Sequence, residues 1–346
     1  MGSAKRGPLR GGIERGHRAS WGKAWAALVT TLPPLVVCCM GAHRWLSTCW
    51  PASLACSVLA TGFLVRTYII QHDCGHGSFL PSSRANDALG CVLGVLTLLP
   101  YFRWRHDHAR HHATSGDLTR RGTGDVWTLT LREYESAPLS VRLRYRLYRQ
   151  PIVLFGLGPL VLFVVLQRLT YWTRTRRERL SVHTTSAAAA CLVALGVHEL
   201  GWRQVLGVEG AITWMGATVA VWLFYVQHQF EETFWDARPG WDRETGALQG
   251  ASYYRLPPVL QFFTGSIGLH HVHHVAPGIP SYELQRCLDA HAELQDARVL
   301  TLWSSLRCAS LRLWDEETRR LVSWDEALRT QARAPRESPR GLSRAA

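Results

Sequence analysis

Four long apolar stretches, set out as two closely spaced pairs, constrain this chain more than any other feature of it. They cover residues 24–42, 51–70, 184–206 and 211–229 of 346. Each is close to the ~20 residues a helix needs to cross a hydrocarbon layer of about 30 Å. Lipid offers no partners to backbone N–H and C=O groups, so such stretches are expected as helices. The short connectors inside each pair force two helical hairpins. Lys5, Arg6, Arg10, Arg15, Arg18 and Lys23 precede the first stretch, and Arg44 lies between the first and second. Basic residues collect on the cytoplasmic side of membranes, so the chain is expected to start there and to return there after residue 70. Pro33-Pro34 predicts a kink in the first span.

Other apolar segments are too short or too interrupted to cross. Residues 88–101 and 256–269 run for about fourteen residues each, far below a bilayer at ~1.5 Å per residue. They read as re-entrant or interfacial pieces. Residues 151–167 are long enough, but Gly156, Gly158 and Pro159 interrupt them. Arginines also lie on both sides, Arg142, Arg144, Arg146 and Arg149 before and Arg168, Arg174, Arg176, Arg177 and Arg179 after. Both ends are therefore expected on the cytoplasmic side, with the segment embedded and not spanning.

The resulting fold class is an all-α integral membrane protein, with four transmembrane helices in two hairpins, re-entrant or interfacial segments and a cytosolic helical cap. The expected divisions are a disordered basic N-terminus over 1–23, a membrane domain over 24–290, a cytosolic helical extension over 291–334 and a disordered tail over 335–346. Ser323-Trp324-Asp325-Glu326 reads as a helix-capping box in the extension. The formal charge of +13 does not indicate nucleic-acid binding, because the arginines flank apolar segments and form no groove-reading motif. Nine cysteines are scattered without a CxxC pair, as expected of reduced packing residues.

On this topology the histidines sort themselves. His106, His108, His111 and His112 give four histidines in seven residues. On a helix, the last three share one face and His106 points nearly the opposite way. His270, His273 and His274 repeat the same spacing, with His271 off the face. His72 and His76 stand at i and i+4, and His228 ends the fourth span. All nine are expected on one side of the membrane, where neutral imidazole is the commonest metal ligand. Nine nitrogens exceed the four that zinc takes, but suit two ions with four or five ligands each. Ligand type alone leaves zinc, copper, iron and nickel open. Asp73, Asp107, Asp117, Asp125, Glu231 and Glu232 lie nearby as candidates to orient the rings.

HDCGHGS at 72–78, HARHHATSGD at 108–117, QHQFEETFW at 227–235 and GLHHVHH followed by IPSYEL closely resemble the membrane-bound fatty acid desaturases. The likeness is strongest to the bacterial and plastid acyl-lipid type called Δ12 or omega-6, and it covers roughly residues 25–290. It implies two non-haem iron ions held by His72, His76, His108, His111, His112, His228, His270, His273 and His274. It also implies O2 as co-substrate, a fatty acyl substrate on a lipid, CoA or carrier protein, and four transmembrane helices with a cytosolic cap. No haem-binding HPGG motif is present, so a separate electron donor such as ferredoxin is expected. The arginine-rich face would serve such an acidic donor or anionic membrane lipids equally well. A bacterial cell membrane, with the site and both termini cytoplasmic, is the expected location.

Blander readings carry less. Two identical triplets and three further histidines are hard to reconcile with a solvated histidine run. His17, His43, His183, His198 and His291 default to surface or packing roles. The nearest rival is an acyl-chain hydroxylase on the same scaffold. A rival of another class is a histidine-rich metal transporter, whose ligands would line a path within the spans instead of gathering at their ends.

Overall fold

The computed structural model describes residues 8–122 and 124–333. Among them, the four helices long and apolar enough to cross a membrane are Trp21–Trp45, Trp50–His76, Arg176–Leu200 and Trp202–His228. They are the expected two hairpins, each with longer helices than its apolar stretches alone. The second span runs on through the first histidine pair and stops at Gly77, whose φ of +70° makes the left-handed turn that favours glycine. The kink of the first span falls at Thr30–Thr31, just ahead of the prolines, so that Leu32–Trp45 starts afresh with proline in its first turn. There the missing N–H costs nothing, because the first N–H groups of a helix have no intrahelical partner. Val36, Val37, Met40, Leu54, Val58, Leu192, Leu195 and Leu206 are exposed along the spans, an apolar surface that fits lipid contact.

Two further helix pairs are bent. Ser83–Leu96 meets Tyr101–Thr114 at 103°, and Leu139–Tyr148 meets Ile152–Arg168 at 61°. Side-chain contacts fix which side they belong to. His108, near the end of the first bent pair, lies 3.0 Å from His72 at the end of the second span. His111 lies 3.0 Å from His228 at the end of the fourth span. The first bent pair therefore leaves and returns to one side. The third and fourth spans together also return His228 to the side on which Arg176 starts, so the second bent pair makes no net crossing. Residues 152–168 are wound largely as π-helix around Gly156, Gly158 and Pro159, as expected where proline removes a hydrogen bond.

Two expectations need correction. Residues 1–23 are not disordered throughout: Pro8–Gly16 is helical, and Ile13 is buried in the cluster that holds Val275, Ile279, Leu284 and Cys287. Burial of one apolar residue on the cap outweighs the basic, glycine-rich composition. The first seven residues and the tail over 335–346 lie outside the described residues. The extension over 291–334 is not wholly helical either. Leu313–Asp315 and Arg320–Val322 pair antiparallel, and Val299–Leu300 pairs parallel with Tyr253–Tyr254. Trp314 and Leu321 are buried against Trp235 and Leu311, a demand met by a short hairpin, while three residues are too few for a helical turn to propagate. The capping box forms as expected, with Glu326 N–H donating to Ser323 Oγ at 3.3 Å and Ser323 N–H to Glu326 Oε2 at 2.8 Å.

The cap is tied to the spans through Arg149, which is fully buried. Its guanidinium donates to Trp127 O at 3.2 Å, Thr128 Oγ1 at 3.3 Å, Tyr225 OH at 3.1 Å, Gln229 Oε1 at 3.2 Å and Leu311 O at 2.9 Å. One side chain thereby joins the cap to the residues on either side of His228. Removing it strands several buried acceptors, each costing about 1–3 kcal/mol. Arg149→Ala is expected to lower the thermal unfolding midpoint of the detergent-purified protein by several degrees. Arg149→Lys, which keeps the charge but has fewer donors, should fall between the two.

Candidate metal centre

Four chain segments build the site. The last turns of the second span supply His72 and His76, and the re-entrant helix Tyr101–Thr114 supplies His108, His111 and His112. The end of the fourth span supplies His228, and the short helix His270–Val275 supplies His270, His273 and His274. The structure brings all nine sequence-predicted residues together, in two groups. His72, His76, His108, His112 and His273 make one and His111, His228, His270 and His274 the other, with candidate ligand atoms in each within 4.8 Å of one another. The groups share a wall where the rings of His112 and His274 stack at 4.1 Å.

The tautomers are set from outside. His111 Nδ1 lies 2.7 Å from Asp125 Oδ1, His228 Nδ1 lies 3.1 Å from Gly250 O, and His72 Nδ1 lies 3.2 Å from Asp73 Oδ1. A carbonyl or carboxylate oxygen only accepts, so in the neutral ring each of these Nδ1 atoms carries the proton and each Nε2 is a bare lone pair. The bare Nε2 atoms of His111 and His228 nevertheless face each other at 3.0 Å. Two lone pairs so close repel unless a cation sits beside both. The residues present therefore fit metal ions.

Spacing adds a preference. Neighbouring Nε2 atoms are 3.0 Å apart for His72 and His108, 3.1 Å for His108 and His112, 3.0 Å for His112 and His273, and 2.9 Å for His228 and His270. Several nitrogens so close together would hold one ion between them, and a group of five exceeds the four ligands of structural zinc.

Of the six acidic candidates, only Asp73 and Asp125 touch ligand rings. Asp73 also accepts from Ser281 N–H at 2.7 Å through its other oxygen, so the first histidine pair is joined to the IPSYEL segment. Asp107 faces Arg103 at 4.0 Å, Asp117 faces Arg238 at 2.9 Å, and Glu231 and Glu232 pair with Arg307 and Arg298. His106 is half-buried beside Glu178 at 3.8 Å. His271 is buried and lies 2.9 Å from Leu294 O, and burial pushes its pKa down to about 4. Neither belongs to the two groups, as helical phase predicts. The Gly250 carbonyl carries no signal in the sequence. Nor does Trp104, which stacks on His108 at 4.6 Å and can do so because Gly75 has no Cβ to meet it, an added one lying 2.6 Å from its ring.

Burial holds His108, His112, His270, His273 and His274 well below the usual histidine range, and the neighbouring imidazoles push them further the same way. The folded metal-free chain thus binds fewer protons than the unfolded one below the unfolded value of about 6.5. Stability from these groups is present above that pH and is lost as pH falls through it. Metal-depleted protein should show an unfolding temperature that drops steadily from about pH 7 to pH 5. A midpoint that rises over that interval would contradict the assignment.

Comparison with known proteins gives the family. The family model described as fatty acid desaturase matches residues 48–305. A fatty acid desaturase of Bacillus subtilis is 41% identical over 312 residues, which are 90% of this chain and 89% of that protein. The chloroplastic omega-6 fatty acid desaturase of Glycine max is 27% identical over 68% of this chain and 54% of its own length, so the chain spans about half of that relative. An sn-1 oleoyl-lipid 12-desaturase of Synechocystis is 25% identical over 79% of this chain and 76% of that protein. A membrane protein whose histidine-bearing segments meet at the ends of its spans, matched in this way over most of its length, belongs to the fatty acid desaturase family.

Proposed function

We propose that this protein inserts a C=C bond into a fatty acyl chain in an O2-dependent reaction at a two-iron centre. One ion would be held by His72, His76, His108, His112 and His273, the other by His111, His228, His270 and His274. The observation that carries the reading is the set of imidazole Nε2 atoms facing one another at about 3 Å in two groups. Bound iron, with O2 and two electrons from outside the chain, supplies the oxidising power that an unactivated methylene demands. Two C–H bonds are lost and one C=C bond forms. The two hydrogens, two further protons and two donated electrons leave as two waters.

The chain's own residues hold the ligands, keep water out and position the substrate. Trp104 covers His108, and Phe224 lies 5.0 Å from His111 and 5.1 Å from His228, so apolar rings line the site. Below it, Leu64, Tyr68, Leu98, Phe163, Gly216 and Ala220 line a cleft of about 30 Å³. Tyr68 lies one turn before His72, with the two rings 6.5 Å apart, so it stands between the cleft and the centre. The cleft's volume is far below the roughly 300 Å³ of an ordinary ligand site, so side chains must part to admit an acyl chain. A larger groove of about 1160 Å³ runs from His43, Trp45 and Gln204 at the far ends of the spans to Leu64, Leu96 and Thr213, which also line the small cleft.

The finer reading is an acyl-lipid substrate cut into at a Δ12 or omega-6 position, in a bacterial cell membrane, with the site cytoplasmic and a ferredoxin-type donor. Its support is the names of the relatives and the arginines that flank the spans on the histidine side. Expression in a host lacking polyunsaturated lipids should yield an acyl product two hydrogens lighter, with its double bond located by fragmentation. A product heavier by one oxygen would favour hydroxylation, and zinc without O2 consumption would favour transport. His111→Ala should abolish the product. Asp125→Ala, which leaves all nine rings in place, should weaken metal retention about 10–100-fold, read as iron per chain after dialysis against a chelator. Unchanged iron would refute its orienting role.

A further inference from the structure

Outside the nine-histidine centre, the described residues hold one further group of metal-ligating side chains. His17, Cys287 and His291 present candidate ligand atoms within 4.8 Å of one another. Cys287 is fully buried and His17 is 7% exposed. The Nδ1 atom of His17 is buried without a hydrogen-bond partner; the nearest carboxylate, Glu283 Oε2, is 3.7 Å away. Cys287 Sγ lies 3.9 Å from His291 Nδ1, and that nitrogen is also 2.9 Å from Cys287 O. The His17 and His291 rings meet edge to face at 5.7 Å. A buried imidazole nitrogen without a hydrogen-bond partner, a thiol and a second imidazole, gathered within 4.8 Å, make a donor set of mixed nitrogen and sulfur, the chemistry that zinc prefers.

The surroundings give such a site a structural purpose. The N-terminal segment lies across the residues that follow the third histidine triplet. Ile13 packs with Ile279, Leu284 and Cys287, Ser20 N–H donates to Tyr282 OH at 3.0 Å, and Lys23 pairs with buried Glu283. Tyr282 OH in turn donates to Phe79 O at 2.9 Å, and the neighbouring Ser281 N–H holds Asp73. The strap therefore bears on the same short segment that orients His72.

We propose that His17, Cys287 and His291 bind a structural zinc ion that clamps the N-terminal strap onto the segment after the third triplet. The Cys287 thiol gives up its proton to solvent on binding and coordinates as thiolate. Water reaches the fourth position, since His291 is partly exposed. The clamp uses none of the nine histidines of the main centre, so it stands or falls independently of the proposed reaction.

The test is zinc and iron analysis, with zinc K-edge absorption, of intact protein purified in detergent from zinc-supplemented culture. About one zinc per chain with a Zn–S distance near 2.3 Å is expected. Because the nine-histidine centre contains no sulfur ligand, zinc misplaced there would show only nitrogen and oxygen neighbours. Cys287→Ser should remove the sulfur signal, and His17→Gln, which keeps a polar side chain of similar size, should lower zinc several-fold with iron per chain unaltered. Zinc below about a tenth of an equivalent, zinc without a sulfur neighbour, or zinc indifferent to both substitutions would overturn the site. Each of those results would mean that His17 serves only as an ion-pair partner of Glu283. Iron measured in the same samples reports on the main centre separately, so a loss there leaves this result readable.

Discussion

Two imidazole lone pairs facing each other at 3.0 Å are the constraint on which the rest of this structure depends. His111 and His228 reach that distance because Asp125 and the Gly250 carbonyl claim the opposite nitrogens. Nothing in the protein alone rewards the arrangement, and an ordinary folded core would rotate one ring away. A cation reverses the sign, turning mutual repulsion into shared coordination. The same reasoning extends to His72, whose Asp73 contact leaves its Nε2 bare toward His108.

Holding such a centre requires that segments far apart in sequence end at one level. The second and fourth spans finish at His76 and His228, and the bent pair between them returns to the same side. Two polar devices lock this level. Asp73 binds the ring of His72 with one oxygen and Ser281 N–H with the other, joining the first span hairpin to the cap. Arg149 makes five hydrogen bonds through its two terminal nitrogens, to the cap and to Tyr225 and Gln229, which flank His228. Both are buried charged groups, and both are satisfied by several hydrogen bonds, without which burial would be too costly.

Much of this is legible in the sequence, because hydropathy and helical phase are local signals. The four spans, the even number of crossings between His76 and Arg176, and the exclusion of His106 and His271 follow from residue spacing and arginine placement alone. What escaped was set by tertiary contact. The helix Pro8–Gly16 depends on Ile13 finding a place in the cap core, against a composition that reads as disordered. The Leu313–Asp315 hairpin depends on Trp235 offering a surface for Trp314. Among six acidic residues near the histidines, sequence could not separate Asp73 and Asp125 from Asp107 and Asp117, since the choice turns on whether an arginine or an imidazole is the neighbour in space. The Gly250 carbonyl is a backbone group and leaves no residue-type trace.

The split of ligands between span ends and cap also bears on the proposed reaction. A centre wholly within the spans would be reachable from lipid but shielded from a water-soluble electron donor, and one wholly within the cap would reverse the problem. Here His72, His76 and His228 come from the ends of apolar helices, while His270, His273 and His274 come from a helix in the cap. The small cleft beside Tyr68 and Ala220 lies on the lipid side of the histidines, and the polar network of Arg149, Thr128 and Gln229 lies on the other. On the proposed reading, hydrocarbon would approach from one side and electrons from the other, with the histidine layer as the boundary.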